Sequence, residues 1–234
     1  MKAFIPNLLT LLNLFSGAIA VIFAVEGALT IAALFVLLGI FFDFFDGFLA
    51  RKLKVESTLG LQLDSLADMV TSGLVPGLIM FQLLSLSISV SGHNMDLLPY
   101  TGLLITLGSA YRLANFNIIV DQKNYFTGLP TPANALLILS FPMILEYQNN
   151  EAFNFIILNP WFLLAFTLTS TVLLNSPVKF ITLKFQTWKL SDNLEKYIFL
   201  ILSLVFLIIF KFFGIYLIIF SYVLLSLIKP PNDV

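Results

Sequence analysis

Four aspartates carry most of the chemistry this chain could do. Asp43, Asp46, Asp64 and Asp68 fall in the stretch FFDFFDGFLARKLKVESTLGLQLDSLADM, residues 41–69, among side chains apolar enough for membrane helices. A carboxylate near hydrocarbon is costly, and such groups face a bundle interior or a wet cavity where a partner waits. Asp43 and Asp46 are spaced i, i+3, and Gly47 and Ala50 follow at i+4 and i+7, so these four share one helix face. Gly60, Asp64 and Asp68 recur every fourth residue and share a face of the next helix. A short basic loop joins the two helices, which makes them antiparallel neighbours whose acidic faces meet at one end. Clustered carboxylates repel one another unless some stay protonated or cations join them. Oxygen-rich sites suit Mg²⁺ or Mn²⁺. Two such ions about 3.5–4 Å apart, bridged by carboxylates, suit displacement at phosphorus. Gly47 and Ala50 lack bulk, which lets a ligand lie against the helix, and the Arg51 guanidinium can hold phosphate oxygens by paired hydrogen bonds. Nothing nearby suggests zinc, because Cys is absent and the one histidine, His93, falls in a loop predicted on the opposite side.

The elements that must position these residues are membrane helices. Of the 234 residues 59% are hydrophobic and 11% charged, with mean hydropathy +0.98, against about 45–50% and about 25% in soluble domains. The net charge of −1 gives no basic patch for nucleic acid. The apolar residues fall in blocks near the ~20 needed to cross a bilayer. Eight spans are predicted, at 8–25, 28–50, 59–90, 97–119, 131–147, 154–174, 194–210 and 213–228. They form an all-α integral membrane bundle with a six-helix core and a C-terminal hairpin, in a single domain over residues 1–234. Only Lys2 precedes the first block, which has no short cleavage pattern and reads as a membrane helix rather than a signal peptide. With both termini placed in the cytoplasm, all Lys and Arg except Lys211 fall in inside loops. Such a split is what the retention of positive charge on the cytoplasmic side produces.

The register D-x-x-D-G-x-x-A-R, eight residues, then G-x-x-x-D-x-x-x-D is complete here as Asp43, Asp46, Gly47, Ala50, Arg51, Gly60, Asp64 and Asp68. It resembles the signature of the CDP-alcohol phosphatidyltransferase family. The resemblance implies a helical membrane fold with a cytoplasmic-side cavity holding two divalent cations, Mn²⁺ or Mg²⁺, and a CDP-linked lipid. It implies that Asp43, Asp46 and Asp64 are metal ligands, and that Asp68 is both ligand and general base. It places Gly47, Ala50, Arg51, Ser57 and Gly60, with Asn7 and Thr10, around the CDP moiety. Homodimerisation in the cell membrane is implied in the same way.

The opening Ile5-Pro6-Asn7-Leu8-Leu9-Thr10-Leu11-Leu12-Asn13, the run Asp64 to Pro76-Gly77, and YFTGLPTPANA at 125–135 are similar to bacterial and archaeal members that use L-serine as acceptor. The resemblance reaches from residue 5 to about 135 and points to transfer of phosphatidyl from CDP-diacylglycerol to serine. Arg112 suits either a helix-end anchor or a partner for the serine carboxylate. Asn117 and Asn134 suit acceptor contacts or buried packing, and Asn13 suits the cavity or packing. The segment 110–117 reads AYRLANFN where the serine-using members are expected to carry a second arginine, at the position of Asn115. The alternatives are a sibling enzyme with glycerol 3-phosphate as acceptor, and a cation transporter, since intramembrane carboxylates also mark ion paths.

Overall fold

The computed structural model describes residues 4–92, 95–118, 125–181 and 190–228. His93, and the predicted inside cations Lys2, Lys123, Lys184, Lys189 and Lys229, lie outside the described residues. Helices α1 (Phe4–Val25) and α2 (Leu29–Leu53) pack as a hairpin closed at Gly27, whose φ is +80°. Their contact is made of small side chains: Gly17, Ala20 and Ala24 on α1 and Ala32, Ala33 and Gly39 on α2 are all buried. Without a hydrophobic drive inside lipid, helices gain by close backbone approach, and small residues permit it.

One long helix then runs from Thr58 to Ser91, 34 residues, or about 50 Å at 1.5 Å per residue. It consists of α3 (Thr58–Asp68), a π-helical segment at Met69–Leu74 and α4 (Val75–Ser91). The widened turn has a local cause. Pro76 sits in the first turn of α4, where it lacks an N–H for the Ser72 carbonyl and its ring crowds that group. The expanded turn relieves this and begins directly after Asp68.

A 3₁₀ turn (Leu98–Leu103) leads into α5 (Leu104–Ile118), followed by β1 (Tyr125–Thr127), α6 (Thr131–Tyr147), α7 (Glu151–Ile157) and α8 (Pro160–Leu174). Then come β2 (Lys179–Ile181), α9 (Leu190–Phe210) and α10 (Phe213–Ile228). Pro132 lies in the first turn of α6, where the Gly-Leu-Pro-Thr-Pro run predicts a helix start.

Two features differ from the predicted spans. The span at 154–174 is a pair, α7 and α8, bent by 62°. Asn159 sits at the bend and accepts hydrogen bonds from the backbone N–H groups of Trp161 and Phe162, and Pro160 begins α8. The second difference is a three-residue antiparallel ladder between β1 and β2, pairing Phe126 with Phe180. Strands this short in an otherwise helical chain give too few residues for an alternating pattern to register.

Three helices, Phe4–Val25, Leu29–Leu53 and Thr58–Ser91, are long and apolar enough to cross a membrane, and the bent pair is a fourth. Lys196–Phe210 and Phe213–Ile228 are shorter apolar helices. Large apolar side chains such as Phe15, Ile22, Ile201 and Ile208 point outward, an arrangement stable in lipid and unfavourable in water. Apart from the one short ladder the described residues form helices and their connections, the make-up of an all-α, multi-pass membrane protein.

Candidate metal and nucleotide site

The acidic faces of α2 and α3 meet as the spacing predicts. Carboxylate oxygens of Asp43, Asp64 and Asp68 all lie within 4.8 Å of one another. Asp43 and Asp64 come within hydrogen-bonding reach, a contact two anions cannot keep without a proton or a cation between them. Oδ1 of Asp64 is buried and has no hydrogen-bond partner. An unpaired buried carboxylate oxygen is expensive, and an all-oxygen donor set of this kind is what hard divalent ions take. The residues present therefore fit a metal ion.

Asp46 stands outside that set. Its carboxylate is buried and accepts a short hydrogen bond from the Thr10 hydroxyl of α1. Asp68 is held from the same helix: Asn13 Nδ2 donates to Asp68 Oδ1 at 3.3 Å. Asn13 is completely buried and its backbone carbonyl accepts from Thr71 Oγ1 at 3.2 Å. A Cβ on Gly39 would come within 2.6 Å of Thr71 Cγ2 and 2.8 Å of Asn13 Oδ1. Glycine there lets α1, α2 and the π-helical turn converge just beside the carboxylates.

A cavity of about 170 Å³ opens next to Asp46 and Asp64. All seven residues expected around CDP line it: Asn7, Thr10, Gly47, Ala50, Arg51, Ser57 and Gly60. Local chemistry explains their placement. Lys54 adopts the left-handed conformation (φ 56°) and ends α2, with its N–H bonded to the carbonyls of Ala50 and Arg51. Ser57 then caps α3, accepting from Gly60 N at 3.0 Å. The tight turn between these points brings the Arg51 end of α2 and the N-terminus of α3 to opposite sides of one cavity. A Cβ on Gly47 would approach Arg51 Nη1 to 3.4 Å, so glycine also leaves room for the guanidinium. The outer face of α2 beside the site carries exposed Phe41, Phe44 and Phe48.

The three acceptor candidates are not brought together. Arg112 is buried on α5 and its Nη1 donates to Thr131 Oγ1 at 2.9 Å. Asn117 ties α5 to α3, accepting from Ser65 Oγ at 3.0 Å and donating to Gln62 Oε1 at 3.4 Å. Asn134 is completely buried and accepts from Ser170 Oγ across the contact between α6 and α8. Sequence reasoning left out Glu56, Val55 and Leu61, which also line this cavity. They lie in the linker and the first turn of α3, between motif positions, and no spacing rule marks them.

The chain belongs to the CDP-alcohol phosphatidyltransferase family, whose model matches residues 3–227. The likeness therefore extends well past residue 135, through the last helices. Among curated relatives, it is 34% identical over 150 residues to the archaetidylserine synthase of Methanothermobacter thermautotrophicus, covering 63% of this chain and 61% of that protein. It is 36% identical over 144 residues to the CDP-diacylglycerol–serine O-phosphatidyltransferase of Bacillus subtilis, covering 59% of this chain and 76% of that protein. The Helicobacter pylori (strain J99) enzyme of the same name is 30% identical over 225 residues, 91% of this chain and 87% of that protein. The match thus spans about three-fifths of the archaeal relative's length and most of the Helicobacter one. Family membership displaces the cation-transporter alternative.

Proposed function

We propose that the protein is a phosphatidylserine synthase, transferring the phosphatidyl group of CDP-diacylglycerol to the hydroxyl of L-serine and releasing CMP. The observation that carries this reading is the serine-transferase name of the relative matched over 91% of this chain, joined to a signature of which Asp46, Gly47, Ala50, Arg51, Gly60 and Asp64 line one cavity. In this reading Asn7, Ser57, Gly60, Gly47, Ala50 and Arg51 hold the cytidine diphosphate, with Arg51 on its phosphates. Asp43, Asp64 and Asp68 hold one divalent cation. Asp46, which lines the nucleotide cavity with Asp64, would help hold a second ion. Mn²⁺ or Mg²⁺ held by these residues would supply positive charge to offset the pyrophosphate and the departing phosphate. Asp68 accepts the serine hydroxyl proton as that oxygen attacks the phosphorus bonded to diacylglycerol. The bond from this phosphorus to the CMP oxygen breaks, and CMP leaves with the electron pair. No covalent enzyme intermediate is needed.

The split of positive charge supports a site on the cytoplasmic face of the cell membrane, where CDP-linked lipid and serine would meet. In this reading two copies pair in the membrane, as the family resemblance implies, and the mass of the detergent-solubilised particle tests that. The activity is tested by CMP release from CDP-diacylglycerol with the purified chain in detergent. Serine, glycerol 3-phosphate and inositol phosphate are offered separately, with Mn²⁺ or Mg²⁺ and with chelator. Release with serine alone, lost on chelation, is the expected result. Release with glycerol 3-phosphate alone would keep the family and overturn the acceptor, and release that survives chelation would overturn the metal assignment.

A further inference from the structure

Helix α1 carries none of the eight signature residues, yet two of its side chains reach signature carboxylates. Thr10 and Asn13, spaced i, i+3, share one face of the helix. Asn13 donates to Asp68, and the Thr10 hydroxyl donates to Oδ2 of Asp46. Both partners in the second contact are buried, Thr10 at 4% and Asp46 at 5% exposure. The small residues buried along α1 and α2 hold the two helices close enough to fix it.

The same hydroxyl has a second acceptor in reach, the carbonyl of Pro6 one turn earlier, at 3.1 Å. A hydroxyl carries a single proton. A carboxylate takes it in preference to a neutral carbonyl, since charge-assisted hydrogen bonds are about twice as strong. Hydroxyls inside helices readily return to the i−4 carbonyl, so the proton has somewhere to go when Asp46 is otherwise engaged. The two halves of the acidic site therefore differ. Asp43, Asp64 and Asp68 bring carboxylate oxygens within 4.8 Å of one another, and Oδ1 of Asp64 has no hydrogen-bond partner. Three carboxylates so placed make a strong site for a hard cation. Asp46 stands apart from them, one of its oxygens already compensated by Thr10. It lines the nucleotide cavity beside Arg51. A hard cation held by so few carboxylates ordinarily completes its shell with water and substrate phosphates.

We infer that Thr10 is a positioning residue that makes the second cation conditional on the nucleotide. By compensating Oδ2 it keeps Asp46 a weak ligand, so the cation at Asp46 binds with the pyrophosphate, whereas the cation at Asp43, Asp64 and Asp68 binds without it. The inference rests on the two-ion assignment in the proposed function and says what sets the order. The test is a Mn²⁺ titration of the full chain in detergent, with free Mn²⁺ read by electron paramagnetic resonance and CDP as the probe nucleotide, so that no turnover is needed. Wild-type protein is expected to hold one tight Mn²⁺ per chain without CDP and two with it. Thr10→Val keeps the shape and deletes the hydroxyl, leaving a buried carboxylate oxygen for which a cation is the partner at hand. Its second Mn²⁺ is expected to bind without CDP roughly 10–100-fold more tightly than in wild-type protein, the worth of a hydrogen bond to a charged group. Thr10→Ser keeps the hydroxyl and is expected to restore the dependence on CDP.

Two ions of equal affinity in wild-type protein without CDP would overturn the inference with no variant needed. A second-ion affinity that is unchanged or lowered in Thr10→Val would do the same. So would loss of the tight ion in both variants, since that marks Thr10 as a packing residue. Absence of bound Mn²⁺ in wild-type protein, with CDP and without, would instead remove the metal assignment in the proposed function, and this inference with it.

Discussion

In the proposed mechanism Asp68 binds a cation and takes a proton, and its neighbours suit both tasks. Its carboxylate lies in the cluster with Asp43 and Asp64, and Asn13 donates to its Oδ1 from α1. Asp68→Asn keeps the size and the Asn13 contact but loses the basic oxygen. Transfer by that variant is expected to fall by roughly 10²–10⁴-fold, the usual worth of a positioned general base, while donor binding persists. CMP release and CDP-diacylglycerol binding measured side by side check this, and normal turnover would remove Asp68 from the base role. Asn13 acts through Asp68 as a positioning residue. Asn13→Ala is expected to lower kcat by roughly 10–100-fold, as loss of an orienting partner does, with the donor KM unchanged. A drop in donor affinity instead would mean that Asn13 serves the nucleotide cavity. The carboxylates were legible at this scale because helical period alone puts them on two facing sides. Asn13 was legible only as a polar group in an apolar helix, because its partner lies 55 positions away and no periodicity links them.

At the scale of elements, the site depends on how closely α1, α2 and the turn after Asp68 can approach. Gly39 is one of the tight points, close to both Thr71 and Asn13. Gly39→Ala is expected to destabilise the protein by about 1–3 kcal/mol, as overpacking does, and to lower activity although it touches no substrate. Thr71→Ser deletes the methyl group that the new Cβ would strike and is expected to rescue part of the loss. A double-mutant cycle on thermal unfolding measures this, and simple additivity would show that the two residues do not compete for the same space. Pro76 was visible in the sequence, yet a proline near a helix start reads equally as a new N-terminus. The structure absorbs it as a π-helical turn inside one continuous helix. Similarly, Asn159-Pro160 carries the chemistry of a cap, but a hydropathy window averages across it and merges α7 with α8. The β1–β2 pair left no periodic trace, because three residues per strand are too few for alternation to register.

For the molecule as a whole, the apolar blocks marked where helices fall, while three helices, or four with the bent pair, are long and apolar enough to cross a membrane against the eight spans predicted. The long helix, at about 50 Å, exceeds the hydrocarbon thickness, and its first turns, with Ser57 and Gly60, belong to the nucleotide cavity. In the proposed reaction donor and acceptor reach the carboxylates by different routes. Serine arrives from water in three dimensions. The lipid donor diffuses within the bilayer, along which Phe41, Phe44 and Phe48 face outward beside the site. Its effective concentration is a mole fraction in a film rather than a molarity in a volume. Adding inert detergent at fixed bulk CDP-diacylglycerol is therefore expected to slow turnover in proportion to the dilution of the micelle surface, while the serine KM stays constant. Insensitivity to such dilution would mean that the donor is taken up from solution as a monomer. The enzyme's output in a cell follows from the same partition: it reads the composition of the membrane it sits in, and the amount of membrane leaves its rate per molecule unchanged.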